Sequence, residues 1–116
     1  MATSSSNEWI SQLRRGALEL CVLCILREEA SYGYEIVTKL AQLGPLAAGE
    51  NTVYPLLRRL KGDGQLETFS VESPTGPPRQ YYRLTSQGRR RLQALEKEWA
   101  DLARAVAQCI GKGDIP

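Results

Sequence analysis

Apolar positions along this chain fall into helical spacing three times, then strand spacing twice, then helical spacing once more. Ile10, Leu13, Ala17, Leu20 and Cys24 recur at steps of three and four, one seam of a helix predicted from about Asn7 or Glu8 to Arg27. Leu18, Val22, Ile25 and Leu26 add apolar surface outside that seam. The later half of the helix is therefore expected to be buried nearly all round, against its own domain and against another partner. Ser31 offers an N-cap for a second helix reaching Leu43, with Glu35 early enough to complement the helix dipole. Tyr32, Ile36, Val37 and Leu40 face the core, and Gly44-Pro45 ends the element before a short, small-sided linker, Leu46 to Gly49.

The third helix starts near Gly49 or Glu50 and closes at Gly62 or Gly64. Val53, Leu56, Leu57 and Leu60 obey the i, i+3, i+4, i+7 rule and define its buried face. At about 100° per residue the opposite face centres on Asn51, Pro55, Arg58 and Gly62, flanked by Tyr54 and Arg59. Pro55 costs a backbone hydrogen bond in a helix interior, so it pins the helix start close to Gly49–Asn51. Leu66 to Val71 and Gln80 to Leu84 read as strands of an antiparallel hairpin, and Ser73 to Pro78 as a turn that interrupts the ladder. Thr85 or Ser86 then caps a last helix to about Ile110, stopped by Gly111 and Gly113. Its residues Leu92, Leu95, Trp99, Leu102, Val106 and Cys109 keep coiled-coil spacing. About 25 residues make a helix of roughly 37 Å, longer than so small a domain covers alone, and dimerisation is its natural outlet. The fold class is mainly α with a β-hairpin: a winged helix-turn-helix over 8–85, a C-terminal dimerisation helix over 86–111, a disordered leader at 1–7 and a tail at 112–116. A basic helix followed closely by a hairpin is an outline that presents one helix to a DNA groove.

The net charge of +2 says little, but its distribution says more. Residues 49–91 hold eight basic and four acidic side chains, +4, while the segments before and after are each −1. A local cationic patch on a near-neutral protein suits phosphate contact. There is no histidine, which removes the commonest general base and metal ligand. Cys21 and Cys24 lie inside the apolar run C-V-L-C-I-L with only Cys109 besides, too few ligands for zinc and too apolar for a thioredoxin-like pair. They are expected as buried core cysteines, with redox sensing as the alternative. No metal, cofactor or enzymatic activity is expected, since no phosphate-cradling loop or paired carboxylate site is present either. No apolar run spans a bilayer and the polar, serine-rich start is not a signal peptide, so no membrane partner and a cytoplasmic location are expected.

S-Y-G-Y-E-I (Ser31 to Ile36), T-V-Y-P-L-L-R-R-L (Thr52 to Leu60), G-Q-L (Gly64 to Leu66), Y-Y-R-L-T (Tyr81 to Thr85) and G-R-R-R-L (Gly88 to Leu92) together resemble the PadR family of bacterial transcriptional regulators. Order and spacing agree over about Leu13 to Ala107, and the single C-terminal helix looks like the small subfamily. The resemblance implies a homodimer in which the last helices pair with each other and with the partner's first helix. It implies a third helix in the major groove and a hairpin on backbone or minor groove. Some relatives bind flat aromatic molecules, some of them with a tryptophan on the last helix, and Trp99 falls at a matching position. Relatives often carry extra basic residues just before the Tyr-Tyr pair. Here Gly76-Pro77-Pro78 leaves Arg79 as the nearest charge, implying wing contacts that are fewer, or stiffened by the prolines.

Candidate roles follow. Tyr34, Lys39 and Tyr54 can reach phosphates, with Arg79 on the wing, while Asn51, Thr52 and Arg58 suit base edges. Pro55 and Arg59 complete the expected DNA surface; packing between helices is the competing role for Tyr34 and Tyr54, and a solvated surface for Arg58 and Arg59. Ile10, Leu13, Ala17, Leu92, Leu95, Trp99, Leu102, Val106 and Cys109 are the expected dimer interface. Trp9, Leu13, Leu95 and Trp99 are the candidate lining for a planar aromatic effector, and the competing role for Trp99 is simply to fill the dimer core. The leading function is a dimeric regulator, a repressor, on a pseudo-palindromic double-stranded DNA operator. The alternative is a winged-helix module whose basic helix docks an acidic protein.

Overall fold

The computed structural model describes the backbone of residues 2–111 and the side chains of residues 8–111; the expected tail at 112–116 lies outside them. Helix α1 runs Ala2–Glu28, a two-residue strand β1 Ser31–Tyr32, and α2 Gly33–Ala41. A 3₁₀ turn at Gly44–Leu46 leads to α3, Glu50–Gly62. Strands β2, Leu66–Ser73, and β3, Gly76–Leu84, form the hairpin, and α4 spans Ser86–Gly111. The sheet order is β1-β3-β2, all antiparallel.

One core joins every layer. Leu18, Val22, Leu23 and Leu26 of α1 meet Ile36 and Leu40 of α2 and Val53, Leu57 and Leu60 of α3. Leu66, Tyr82 and Leu84 close it from the sheet, and Leu92 from α4. The α3 face is therefore the one the spacing defines, except that Leu56 is half-buried.

Several expectations give way. Helix α1 begins at Ala2, earlier than the start expected near Asn7 or Glu8; lengthening an existing helix costs little once it is nucleated. Tyr32, not Ser31, precedes the first turn of α2, and its N–H donates to the Glu35 carboxylate at 3.3 Å. Ser31 and Tyr32 are instead a third strand, paired with Tyr82 and Tyr81. Two residues carry no detectable period, which is why the pattern did not show it. The wing turn is only Pro74-Thr75, with Pro77 and Pro78 inside β3. They fall between the Val71–Arg79 and Ser73–Gly76 pairs, where the register shifts and a residue lacking an N–H is tolerated.

Leu92 is also a correction. At 3 % exposure it belongs to the protomer core and is not free for a partner. The first turns of α4 are clamped to the sheet: the Thr85 hydroxyl donates to the Gly64 carbonyl at 2.7 Å and accepts from the Gly88 N–H at 3.0 Å. Gly64 takes φ +82°, a left-handed turn that suits glycine. Cys21 and Cys24 are half-buried rather than buried. Burial, then the neighbouring Cys24, pushes the Cys21 thiol above its ordinary value. Burial does the same for Cys24 against the opposing charge of Arg27. Neither is an activated thiolate.

Candidate nucleic-acid interface

Two residues that adjoin in sequence diverge on α3. Arg58 points away from the core, is exposed, and forms no ion pair among the described residues. Arg59, turned about 100° further round the helix, reaches back to α1, its Nη2 donating to Glu19 Oε1 at 3.3 Å. Arg59 Nη1 also lies 3.6 Å from Asp63. The other Glu19 oxygen accepts from Arg91 Nε of α4 at 3.0 Å. With its side chain only 14 % exposed, Glu19 ties three helices together. Arg59 is thus engaged in docking α3, and of the predicted cations on that helix only Arg58 is uncommitted.

Asn51, Thr52, Pro55 and Arg58 share the exposed side of α3. Pro55 is the sixth residue of the helix and supplies no N–H to the Asn51 carbonyl, which stays available beside the exposed Asn51 side chain. Tyr54 is different: its ring packs where a Gly33 side chain would stand, and a Cβ there would lie 2.8 Å from Tyr54 Cζ. Burial first, then the charge of Glu50 and the neighbouring Tyr82, raises its phenol pKa. Tyr54 is a spacer between α2 and α3. Tyr34 stays 59 % exposed on α2. Lys39 is partly committed, 3.7 Å from Glu29 and 3.5 Å from the buried Ser31 hydroxyl.

The wing builds a second basic element. On β3, alternation puts Arg79, Tyr81 and Arg83 on one face. Tyr81 stands between Tyr32 and Phe69, with ring centroids 5.3 and 5.7 Å away. The Arg79 guanidinium lies 4.6 Å over the Tyr32 ring, and Arg83 lies 4.7 Å over Phe69 while pairing with Glu67 at 2.7 Å. Arg79 is thereby aligned with the start of α2, a contact that the pairing of β1 with β3 makes possible. Each such exposed stack is worth about 0.5–1 kcal/mol.

On the far side, Leu13, Ala17 and Leu20 of α1 and Leu95, Trp99 and Leu102 of α4 line a groove of about 310 Å³. Trp9, expected with them, lies outside that lining and is 62 % exposed. Trp99, Leu102 and Val106 are 53 %, 58 % and 47 % exposed, an apolar stripe without cover in one protomer. Arg27 of α1 bonds Glu96 of α4 at 2.8 Å beside it.

A helix pair with an exposed second helix, a three-stranded wing and a long α4 define a winged helix-turn-helix protein. Residues 22–94 match the Transcriptional regulator PadR-like family. The chain belongs to that family. A PadR family transcriptional regulator from Eggerthella lenta is 37 % identical with TM-score 0.85, over 94 % of this chain and 95 % of that one. A PadR-like regulator from Bacillus cereus is 34 % identical with TM-score 0.78, over 85 % and 96 %. Bacillus subtilis PadR, solved in complex with operator DNA, is 26 % identical with TM-score 0.63, over 67 % of this chain and 45 % of that longer one. Among the described residues no helix is long and apolar enough to cross a membrane, and no cluster of side chains could hold a metal ion.

Proposed function

We propose that this regulator acts as a homodimeric repressor, seating α3 of each protomer in the major groove of a pseudo-palindromic operator. The observation that carries the reading is the uncovered strip of α3, Asn51, Thr52, Pro55 and Arg58, with Arg58 unpaired among the described residues and Arg79 aligned on the adjoining wing. The operator complex of the Bacillus subtilis relative supports it. Arg58 and Asn51 read base edges, arginine favouring guanine and asparagine adenine. Tyr34 and Arg79 position the backbone, with Lys39 contributing once it leaves Glu29. Arg59 and Tyr54 support the helix from behind. Half-sites lie about one or two helical turns apart.

A mobility-shift assay on random duplex, followed by selection of bound oligonucleotides, tests this. Affinity should fall steeply with salt as counterions are released. Arg58→Ala should weaken binding to the selected operator by about 1–3 kcal/mol and relax preference at one position. Unchanged affinity at fixed salt would remove Arg58 from the reading set. A flat salt slope for the unaltered chain would favour docking to an acidic protein instead.

We further propose that the groove beneath Trp99 accepts a planar aromatic effector between protomers. It regulates only by binding one spacing of the two α3 helices better than another. In a Trp9→Phe background, which leaves Trp99 the only indole, flat aromatic compounds are expected to quench the fluorescence. No quenching across a broad panel would mean that Trp99 only packs.

A further inference from the structure

Arg14 and Arg15 stand on the side of α1 that faces the start of α3, turned away from Leu13 and Ala17. With Ser11, Leu18, Gly49 and Thr52 they line a cavity of about 310 Å³ between the two helices. Arg14 Nε donates to the Pro45 carbonyl at 2.8 Å, which holds the guanidinium against the turn leading into α3 and leaves its terminal nitrogens free to donate elsewhere. Arg15 is exposed. Among the described residues neither arginine forms an ion pair. Two carboxylates are close by: Glu8, which shares an adjoining groove with Arg15, and Glu50, the first residue of α3. Neither is bonded to these arginines. Two guanidinium groups without an ion pair among the described residues, that of Arg14 anchored through Nε, form a fork suited to the oxygens of a phosphate.

The position of the cavity selects the source of that phosphate. Thr52 belongs both to the cavity and to the exposed side of α3, next to Asn51. In helix-turn-helix proteins the N-terminal residues of the second helix meet base edges, so the strand flanking the groove passes on this side. Resting on the proposed DNA binding, we infer that Arg14 and Arg15 grip a backbone phosphate of the operator, extending the interface onto α1. One helix then carries both the phosphate grip and, on its other side, the seam that faces the partner. A change in protomer spacing would move the grip directly.

Duplex binding across a salt series tests this, comparing the unaltered chain with Arg14→Gln/Arg15→Gln, Arg15→Gln and, as a remote control on α4, Arg104→Gln. The double variant should bind about 10-fold more weakly at fixed salt, with the log–log slope shallower by about 0.9 for each phosphate no longer neutralised. The loss should be equal on selected and random duplexes, since phosphate contacts carry no sequence information. Arg15→Gln should show the same changes at smaller size; it removes no hydrogen bond described within the protomer, so its effect is not one of folding. A slope unchanged in both variants overturns the proposal, as does weaker binding seen only in a double variant whose thermal midpoint has dropped. If the unaltered chain shows no salt-dependent duplex binding, DNA recognition itself fails and takes this extension with it.

Discussion

Gly88→Ala is expected to destabilise the protein by about 3 kcal/mol, although alanine is the better helix former by about 1 kcal/mol. Gly88 lies in the first turn of α4, and a Cβ there would overlap the Gln65 carbonyl oxygen, with the carbonyl carbon at 3.1 Å and Leu84 Cδ2 at 3.3 Å. The obstacle is backbone, and it cannot swing aside as the end of a side chain could. The same Gln65 carbonyl accepts the Thr85 N–H at 3.1 Å, so pushing it away also loosens the cap of α4. Relief requires lifting α4 off the sheet, which exposes Leu92 and Leu84. Urea titration at one fixed protein concentration measures the loss, with Gly62→Ala as the control because nothing stands within 4 Å of a Cβ there. For a domain of this size the midpoint temperature should fall by more than about 10 °C. A Gly88→Ala protein as stable as the control would mean that α4 is not seated as closely as described.

The same close approach marks what the sequence could and could not convey. Helix α3 was legible because its signals are local: Gly49 and Pro55 bound its start, and Val53, Leu57 and Leu60 repeat on one face. The partition of Arg58 from Arg59 was not. It depends on Glu19, separated from Arg59 by 40 positions and from Arg91 by 72, and no periodicity within one helix reports such a pairing. Leu92 misled for a related reason. It keeps the spacing of the outward seam, but Gly88 brings that end of α4 against the sheet, so the first residue of the repeat sinks into the protomer core while Trp99 and Leu102 stay outside. Spacing identifies a stripe on a helix; what covers each length of the stripe is decided by where the helix is clamped. The Arg79–Tyr32 stack escaped because it requires β1, whose two residues have no pattern of their own.

On the proposed pairing along the α4 stripe, Leu102→Glu should separate the protomers and with them most of the operator affinity. Leu102 is 58 % exposed in one chain and sits between Trp99 and Val106 on the apolar stripe of α4, so the substitution costs the protomer core nothing. In a pair of α4 helices meeting along that stripe, the new carboxylates would be drawn out of water beside apolar neighbours, a penalty of several kcal/mol for each charge. The variant is therefore expected to sediment as a monomer at micromolar concentration, with its helical circular dichroism largely retained. Each monomer still carries Asn51 and Arg58, but the second half-site no longer benefits from the effective concentration set by the first. Loss of that linkage lowers affinity for a two-half-site operator by about 10²–10⁴-fold. Binding to a single half-site should change little, and this separates loss of pairing from damage to α3. Leu102→Ala, which removes apolar surface without adding charge, should fall between the two. A Leu102→Glu protein that remains dimeric and keeps its operator affinity would show that the protomers pair through some other surface, and the exposed stripe would then need another occupant.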